Sequence, residues 1–273
     1  MYESYWQLAA KPFEPTGDAP WYYPSEVHQG ALLKLRYVLE SGRAAALVTG
    51  GTGLGKSMLV DTLQRQLGDR CKPFAHLVLP QMPTREMLAY VANELGAPHV
   101  EPATFSIEES LRRLQCLLAD VSKSGRHAVL AIDEAHLLAD SYSLETIRLL
   151  LNLSDNGPAA LTVLLVGQTS LLPALDRQPG LEERLSVKVL LRPFTVEETA
   201  SYIMHRLAAA GARQEIFTTD ALSRVHDLTG GNPRRINRLC DLVLLIGYAE
   251  ERQRIGPEQV EQVSNELVTV SPE

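Results

Sequence analysis

Gly50-Gly51-Thr52-Gly53-Leu54-Gly55-Lys56-Ser57 satisfies the pattern G-x-x-x-x-G-K-[ST] at every fixed position. It lies where a strand should meet a helix. Ala44 to Thr49 is a short apolar run, and from Met58 onward apolar residues return at helical spacing, at Leu59, Leu63 and Leu67. Glycines let the backbone wrap an anion without a Cβ in the way, so that successive N–H groups and the helix N-terminus face phosphate oxygens. In such a cradle Gly50 through Met58 would hold the nucleotide phosphates. Lys56 would neutralise the β- and γ-phosphates, and the Ser57 hydroxyl would ligate Mg²⁺.

Outward from this loop, apolar strands alternate with helical patterns. Phe74 to Leu79, Ala128 to Ile132, Leu161 to Val166 and Ser186 to Leu190 read as strands. Helices are expected from Ser25 to about Glu40, over Thr84 to Leu95, from the Ser106/Glu109 capping box to Lys123, over Ser143 to Leu153, and over Leu171 to Leu175. Loops fall at Pro98 to Pro102 and at Asp155-Asn156-Gly157-Pro158. The alternation specifies an α/β fold with a parallel sheet covered on both faces and ligands at the strands' carboxyl ends. From Thr195, boxed by Glu198, only helices follow: to about Ala210, over Asp220 to Leu228, from Pro233 to about Glu250, and over Pro257 to Leu267. A hinge near Arg192-Pro193 therefore divides a 42–192 core from a small all-α domain over 193–273. Residues 1–41, the aromatic arm and first helix, are assigned to the core's domain.

Seven of the 16 aromatic residues lie in the first 23 positions, interleaved with Pro12, Pro15 and Pro20. The stretch reads as an extended arm whose rings must lie against something: a strap packed on the core, or part of an adenine pocket. His28, in the first turn of the following helix, reads on its own as a solvated side chain.

The chemistry depends on Asp133-Glu134 at the end of the Ala128 to Ile132 run. Asp133 would hold Mg²⁺, and Glu134 beside it would orient and activate the water that attacks the γ-phosphoryl group. One strand lies between the loop and this pair in sequence, which points to a P-loop sheet with an added central strand. Gln168, ending the next strand, would either help hold that water or cap the following turn. Arg184, with Arg177 as competitor, would reach a neighbouring subunit's γ-phosphate or only pair on the surface. Arg234 or Arg235 would reach the nucleotide from the helical domain.

Other features set limits. Cys71, Cys116 and Cys240 form neither a disulfide framework nor a zinc pattern, which fits a reducing cytoplasm. A net charge of −7 gives no global attraction to nucleic acid or anionic lipid. No apolar run approaches membrane-spanning length and no signal-peptide pattern opens the chain, so a cytoplasmic location without a direct membrane span is expected.

Together these motifs resemble the AAA+ ATPases, and more narrowly the secretion- and pilus-associated ATPase modules of the ExeA, GspA and MshM type. The resemblance runs from Trp6, Pro12-Phe13 and Tyr23-Pro24-Ser25-Glu26-Val27-His28 through the loop, Ile132-Asp133-Glu134-Ala135-His136, Val166-Gly167-Gln168 and Glu183-Arg184-Leu185. Its most specific piece is Thr229-Gly230-Gly231-Asn232-Pro233-Arg234-Arg235-Ile236-Asn237-Arg238. It implies a five-stranded sheet with a helical lid. It further implies ATP and Mg²⁺ as ligands, Gln168 as sensor one, Arg184 as an arginine finger supplied in trans, Arg234 as sensor two, and Phe13, Tyr23 and His28 as the adenine wall. His136 stands where the family often has Gln, leaving the catalytic pair untouched. Secretion members usually continue into a transmembrane segment and a peptidoglycan-binding region, neither of which appears before Glu273. The expected function is a homo-oligomeric ATPase, ring or filament, that drives assembly of a secretion or pilus machine, held at the inner membrane through an envelope protein partner. The alternatives are an ATP-dependent DNA-binding regulator similar to the transposition ATPases TniB and TnsC, and a nucleotide-switched scaffold. The DNA reading draws on Arg224, Arg234, Arg235, Arg238, Arg252 and Arg254.

Overall fold

A strand that is apolar at all or nearly all positions is satisfied in the middle of a sheet with both faces covered. Ala45–Gly50 (β1), Ala128–Ile132 (β3) and Leu161–Gly167 (β4) are such strands, buried along their whole length. The computed structural model, which describes residues 1–14, 21–98, 106–139, 141–154 and 160–269, places them centrally. The sheet is parallel, in the order β2-β3-β4-β1-β5. Its outer strands, Phe74–Leu77 (β2) and Leu185–Leu191 (β5), show mixed burial instead. This is the five-stranded arrangement expected from the sequence, and β3 lies beside β4 as required.

The covering helices are Glu26–Glu40 (α1), Lys56–Gln66 (α2), Thr84–Glu94 (α3), Ile107–Lys123 (α4), Ser141–Leu151 (α5), Leu172–Asp176 (α6) and Pro179–Glu182 (α7). Helix α7, only four residues long, has no counterpart among the helices expected from the sequence. Ser106 caps α4 by accepting the Glu109 amide. Leu88, Leu114, Leu118 and Ile147 from these helices join Leu130 and Ile132 of β3 in one core. Register fixes where the site must form: Thr49 pairs with Gly167 and Ile132 with Leu165, so β1, β3 and β4 end together along one sheet edge. The expected loop at Pro98 to Pro102 lies, beyond Pro98, outside the described residues, as do the Asp155 to Pro158 turn and Pro15 and Pro20 of the arm.

The second unit comprises Arg192–Glu273 together with Met1–Ser25 and Gly53–Gly55. Its helices are Val196–Ala209 (α8), Thr219–Thr229 (α9), Pro233–Ala249 (α10) and Pro257–Thr269 (α11). Thr195 and Glu198 form the full reciprocal box at α8, and Asn232 caps α10 by accepting the Arg234 and Arg235 amides.

Met1–Ser25 falls in this helical unit and not with the sheet, which corrects the arm's part of the expected 1–41 assignment, whereas α1 stays with the sheet unit. Tyr2, Trp6 and Phe13 sit in one cluster with Ile203, Val225 and Val243. The Trp6 indole donates to the Leu244 carbonyl at 2.9 Å, and Tyr2 donates to Asp241. Arg206, itself buried, donates to the carbonyls of Pro12 at 2.5 Å and Glu14 at 2.7 Å, and its guanidinium lies 4.8 Å from the Trp21 ring centroid. Burying one such aromatic ring stabilises the unit by about 4 to 6 kcal/mol of transfer free energy. Nor is the start of the arm extended. The Trp6 amide donates to Tyr2 O at 3.1 Å and the Leu8 amide to Glu3 O at 2.8 Å, which folds residues 2–8 into a turn.

Candidate active site

The loop after β1 has the conformation its glycines permit. Gly53 and Gly55 take φ of +82° and +85°, a region that a Cβ makes costly. Helix α2 begins at Lys56 with no acidic residue in its first turn, so its N-terminal amides present positive potential to an anion. The Lys56 ammonium is buried and donates to the carbonyls of Gly50 at 3.1 Å and Gly51 at 3.0 Å, which holds the charge inside the turn of the loop. Thr52 and Ser57 are exposed, Met58 is half-buried and Leu54 is buried. The loop's tip is tied within the helical unit: the Arg234 amide donates to the Gly53 carbonyl at 3.3 Å.

Ser57 and Asp133 meet. The Ser57 hydroxyl donates to Asp133 Oδ2 at 2.5 Å, joining the start of α2 to the end of β3. Asp133 is 3% exposed, and its other oxygen accepts the Glu134 amide at 2.8 Å. Burial alone pushes this carboxyl up. The His76 ring, the Ser57 hydroxyl and the Glu134 amide outweigh it and hold Asp133 below its ordinary value, so it is a carboxylate at neutral pH. A hydroxyl and a carboxylate in contact are the hard oxygen donors that Mg²⁺ takes from protein, the remainder coming from phosphate and water. Among the described residues no cluster of three or more His, Cys, Asp and Glu forms a metal cage. The Ser57 hydroxyl and Asp133 carboxylate are themselves a donor pair that fits a nucleotide-borne Mg²⁺.

His76 was not singled out from sequence. It projects from β2 between two carboxylates, with Nδ1 3.7 Å from Asp61 and Nε2 3.8 Å from Asp133, contacts too long for hydrogen bonds. A histidine inside Phe-Ala-His-Leu, on an otherwise apolar strand, is the signal that would have flagged it.

Glu134 follows Asp133 in a left-handed conformation, φ 49° and ψ 32°, which is uncommon for a residue with a side chain. Its side chain is 44% exposed. Its Oε2 lies 3.3 Å from His136 Nδ1, and His136 Nε2 lies 3.0 Å from Gln168 Nε2. His136, expected to leave the catalytic pair untouched, thus stands between Glu134 and Gln168.

The remaining candidates lie on several different elements. Arg184 is half-buried at the start of β5 and donates to the Arg148 carbonyl at 3.5 Å, while Arg177 is exposed at the end of α6. Leu185 pairs with Ala45 and Leu191 with Gly50, so Arg184 lies at the opposite end of β1 from the loop. Arg234 and Arg235 are exposed on the first turn of α10. Tyr23 packs on Phe194, Tyr202 and His205 at centroid distances of 5.6 to 5.7 Å. Phe13, 2% exposed, leaves no ring face open to a ligand, and His28 is buried, not solvated. Burial of these two side chains is what the arm's packing and the inner face of α1 require, respectively.

A family model described as an AAA domain matches residues 39–175. General secretion pathway protein A of Aeromonas hydrophila is 35% identical over 259 residues, a match that covers 93% of this chain and 46% of that protein. The chain thus spans about half the length of this relative. Among solved structures, the ORC2 protein of Aeropyrum pernix aligns with a TM-score of 0.73 at 16% identity, over 96% of this chain and 72% of that one. The RuvB Holliday junction branch migration motor of Thermotoga maritima aligns at 0.61 and 20% identity, over 93% and 73%. These two likenesses bear on fold alone. No helix of the described residues is long and apolar enough to cross a membrane.

Proposed function

The chain belongs to the AAA domain family, and we propose that it is an Mg²⁺-dependent ATPase working in a nucleotide-dependent homo-oligomer. The observation that carries the reading is the Ser57–Asp133 contact with Glu134 next in line. Phosphate-binding loop, metal-ligand pair and water-activating carboxylate thereby share one sheet edge.

In this mechanism the loop amides and Lys56 bind the β- and γ-phosphates. Ser57 and Asp133 hold Mg²⁺, which when bound neutralises charge on the phosphate oxygens. Glu134 accepts a proton from water as the water oxygen bonds to the γ-phosphorus, and the bond from that phosphorus to the bridging oxygen of ADP breaks. Arg184 serves a neighbour's site. Five residue rises separate Ala45 from Gly50, about 16 Å along the strand, whereas an arginine side chain reaches roughly 7 Å. Arg234 is retained as the sensor of the helical unit and Tyr23 as the aromatic candidate for the adenine wall.

The likeness to general secretion pathway protein A supports a role in secretion, which we read as driving assembly of the envelope machine, with the inner membrane reached through a protein partner. The DNA-binding alternative loses support from its arginines. Arg224 pairs with Asp227 and Glu261, Arg252 with Glu250, and Arg254 with Glu215, which neutralises three of the six within the helical unit. The test is phosphate release from ATP by wild type, Lys56→Ala and Glu134→Gln, with nucleotide binding measured alongside. The reading requires hydrolysis by wild type, loss of binding in Lys56→Ala, and binding without hydrolysis in Glu134→Gln.

A further inference from the structure

Gly167 sets the local geometry at the end of β4. A Cβ there would come within 3.0 Å of the His136 amide nitrogen and 3.4 Å of the Ala135 nitrogen, so glycine lets the strand end lie this close to the turn after β3 without that turn having to give. Close approach at Gly167 places the next residue, Gln168, against the His136 ring. The ring is largely buried, its side chain 15% exposed. Its two nitrogens face different catalytic candidates: Nε2 lies 3.0 Å from the Gln168 amide nitrogen, and Nδ1 lies 3.3 Å from a Glu134 carboxylate oxygen. The second approach lacks hydrogen-bond geometry, and among the described residues Nδ1 has no other hydrogen-bond partner.

Proton bookkeeping on this trio has one consistent solution with a neutral ring. A carboxylate only accepts, so Nδ1 facing it carries the proton. Nε2 is then an acceptor, and the group beside it is an amide N–H₂, which only donates. The orphaned Nδ1–H is costly to leave unpaired in a buried site, and a small rotation of the Glu134 side chain satisfies it. Glu134 can make that rotation because it is the exposed end of the chain of contacts.

From this geometry we infer that His136 is a positioning residue, which holds the Glu134 carboxylate through Nδ1 and couples its placement to Gln168 through Nε2. The inference rests on the ATPase reading above and extends it. Gln168 then acts through His136: a displacement of the β4 end moves the imidazole, and the imidazole moves the carboxylate that aligns the attacking water. His136 and Gln168 act on the carboxylate and not through the loop amides and Lys56 that bind the phosphates, so loss of the coupling is a loss of rate and not of affinity.

The experiment measures single-turnover ATP hydrolysis and ATP affinity for wild type, Glu134→Gln, His136→Leu, Gln168→Leu, the His136→Leu/Gln168→Leu pair, and His136→Gln. His136→Leu is expected to lower the hydrolysis rate roughly 10- to 100-fold, the loss that a misplaced catalytic group produces, with ATP affinity unchanged. The double variant is expected to be no slower than the slower single one, because both break the same chain. His136→Gln is expected to recover most of the rate, since a carboxamide can donate to Glu134 and accept from Gln168. If wild type hydrolyses ATP and Glu134→Gln stops it, then a wild-type rate in His136→Leu, fully additive losses, or a His136→Gln variant as slow as His136→Leu overturns the inference alone. Absence of hydrolysis in wild type, or an undiminished rate in Glu134→Gln, overturns the ATPase reading and the inference with it.

Discussion

Replacing Arg184 with alanine tests whether the site is completed by a second copy of the chain. The β1–β5 register sets Arg184 about 16 Å along the strand from its own phosphate loop, beyond the reach of its side chain. Its hydrogen-bond partner among the described residues is the neutral Arg148 carbonyl at 3.5 Å, so the substitution leaves no buried charge behind there. Loss of a catalytic arginine supplied to a neighbour lowers the rate by about 10³ or more, some 4 kcal/mol of barrier, while ATP affinity stays near wild type. The assay is phosphate release over a range of protein concentrations, followed by mixing Arg184→Ala with Glu134→Gln. Each variant is inactive alone, but an Arg184→Ala site beside a Glu134→Gln neighbour has both its carboxylate and its arginine. With random mixing at equal amounts, about a quarter of the wild-type rate returns, because half the sites keep Glu134 and half of those face an Arg184. A wild-type rate for Arg184→Ala, or no recovery on mixing, would refute the argument from register.

The helical unit carries the remaining predictions. Trp6→Ala removes a ring that is 1% exposed and donates to Leu244 O, and is expected to cost about 3 to 5 kcal/mol in urea unfolding; a loss under 1 kcal/mol would deny the arm its place in that core. Gly230 and Gly231 both have positive φ, but a Cβ on Gly230 meets open space whereas one on Gly231 would lie 2.1 Å from the Phe194 carbonyl oxygen. Gly230→Ala should therefore cost about 1 to 2 kcal/mol and Gly231→Ala several kcal/mol, and equal losses would contradict the difference in packing. Burial pushes the Tyr22 phenol up to about 12, and raises Tyr2, beside Asp241, and Tyr202 as well. Folded values above the unfolded value of about 10 mean that the stability these phenols contribute is complete below that pH and is lost as pH rises through about 12. Tyrosinate absorbance followed with helical circular dichroism should show these groups ionising as the helices melt. Ionisation of all nine tyrosines near pH 10 with helicity intact would disprove it.

What the sequence discloses follows from where its physics is local. The run Ala128–Ile132 is legible to the residue, because this strand, covered on both faces, is apolar throughout and Asp133 ends it. Thr195 and Glu198 announce a helix start with atoms only three residues apart. The arm has no such period. Seven aromatic residues among prolines state that rings must be buried, but not against which unit, and Trp6 finds Leu244 at a separation of 238 residues. The role of His136 was hidden for a related reason. Its contact with Gln168 exists because β3 and β4 are neighbours in register and because Gly167 has no Cβ, and neither fact is visible within either strand. His76 reaches Asp133 in the same way, through the pairing of β2 with β3.

The central claim is that Glu134 turns a nucleotide-binding loop into a hydrolytic site. Its most direct test is phosphate release from ATP by wild type and Glu134→Gln, each with Mg²⁺ and with the metal chelated, alongside ATP binding by both proteins. The account predicts Mg²⁺-dependent hydrolysis by wild type, and undiminished binding with at least a hundredfold slower release in the variant. Equal rates in the two proteins, or hydrolysis by wild type indifferent to chelation, would contradict it.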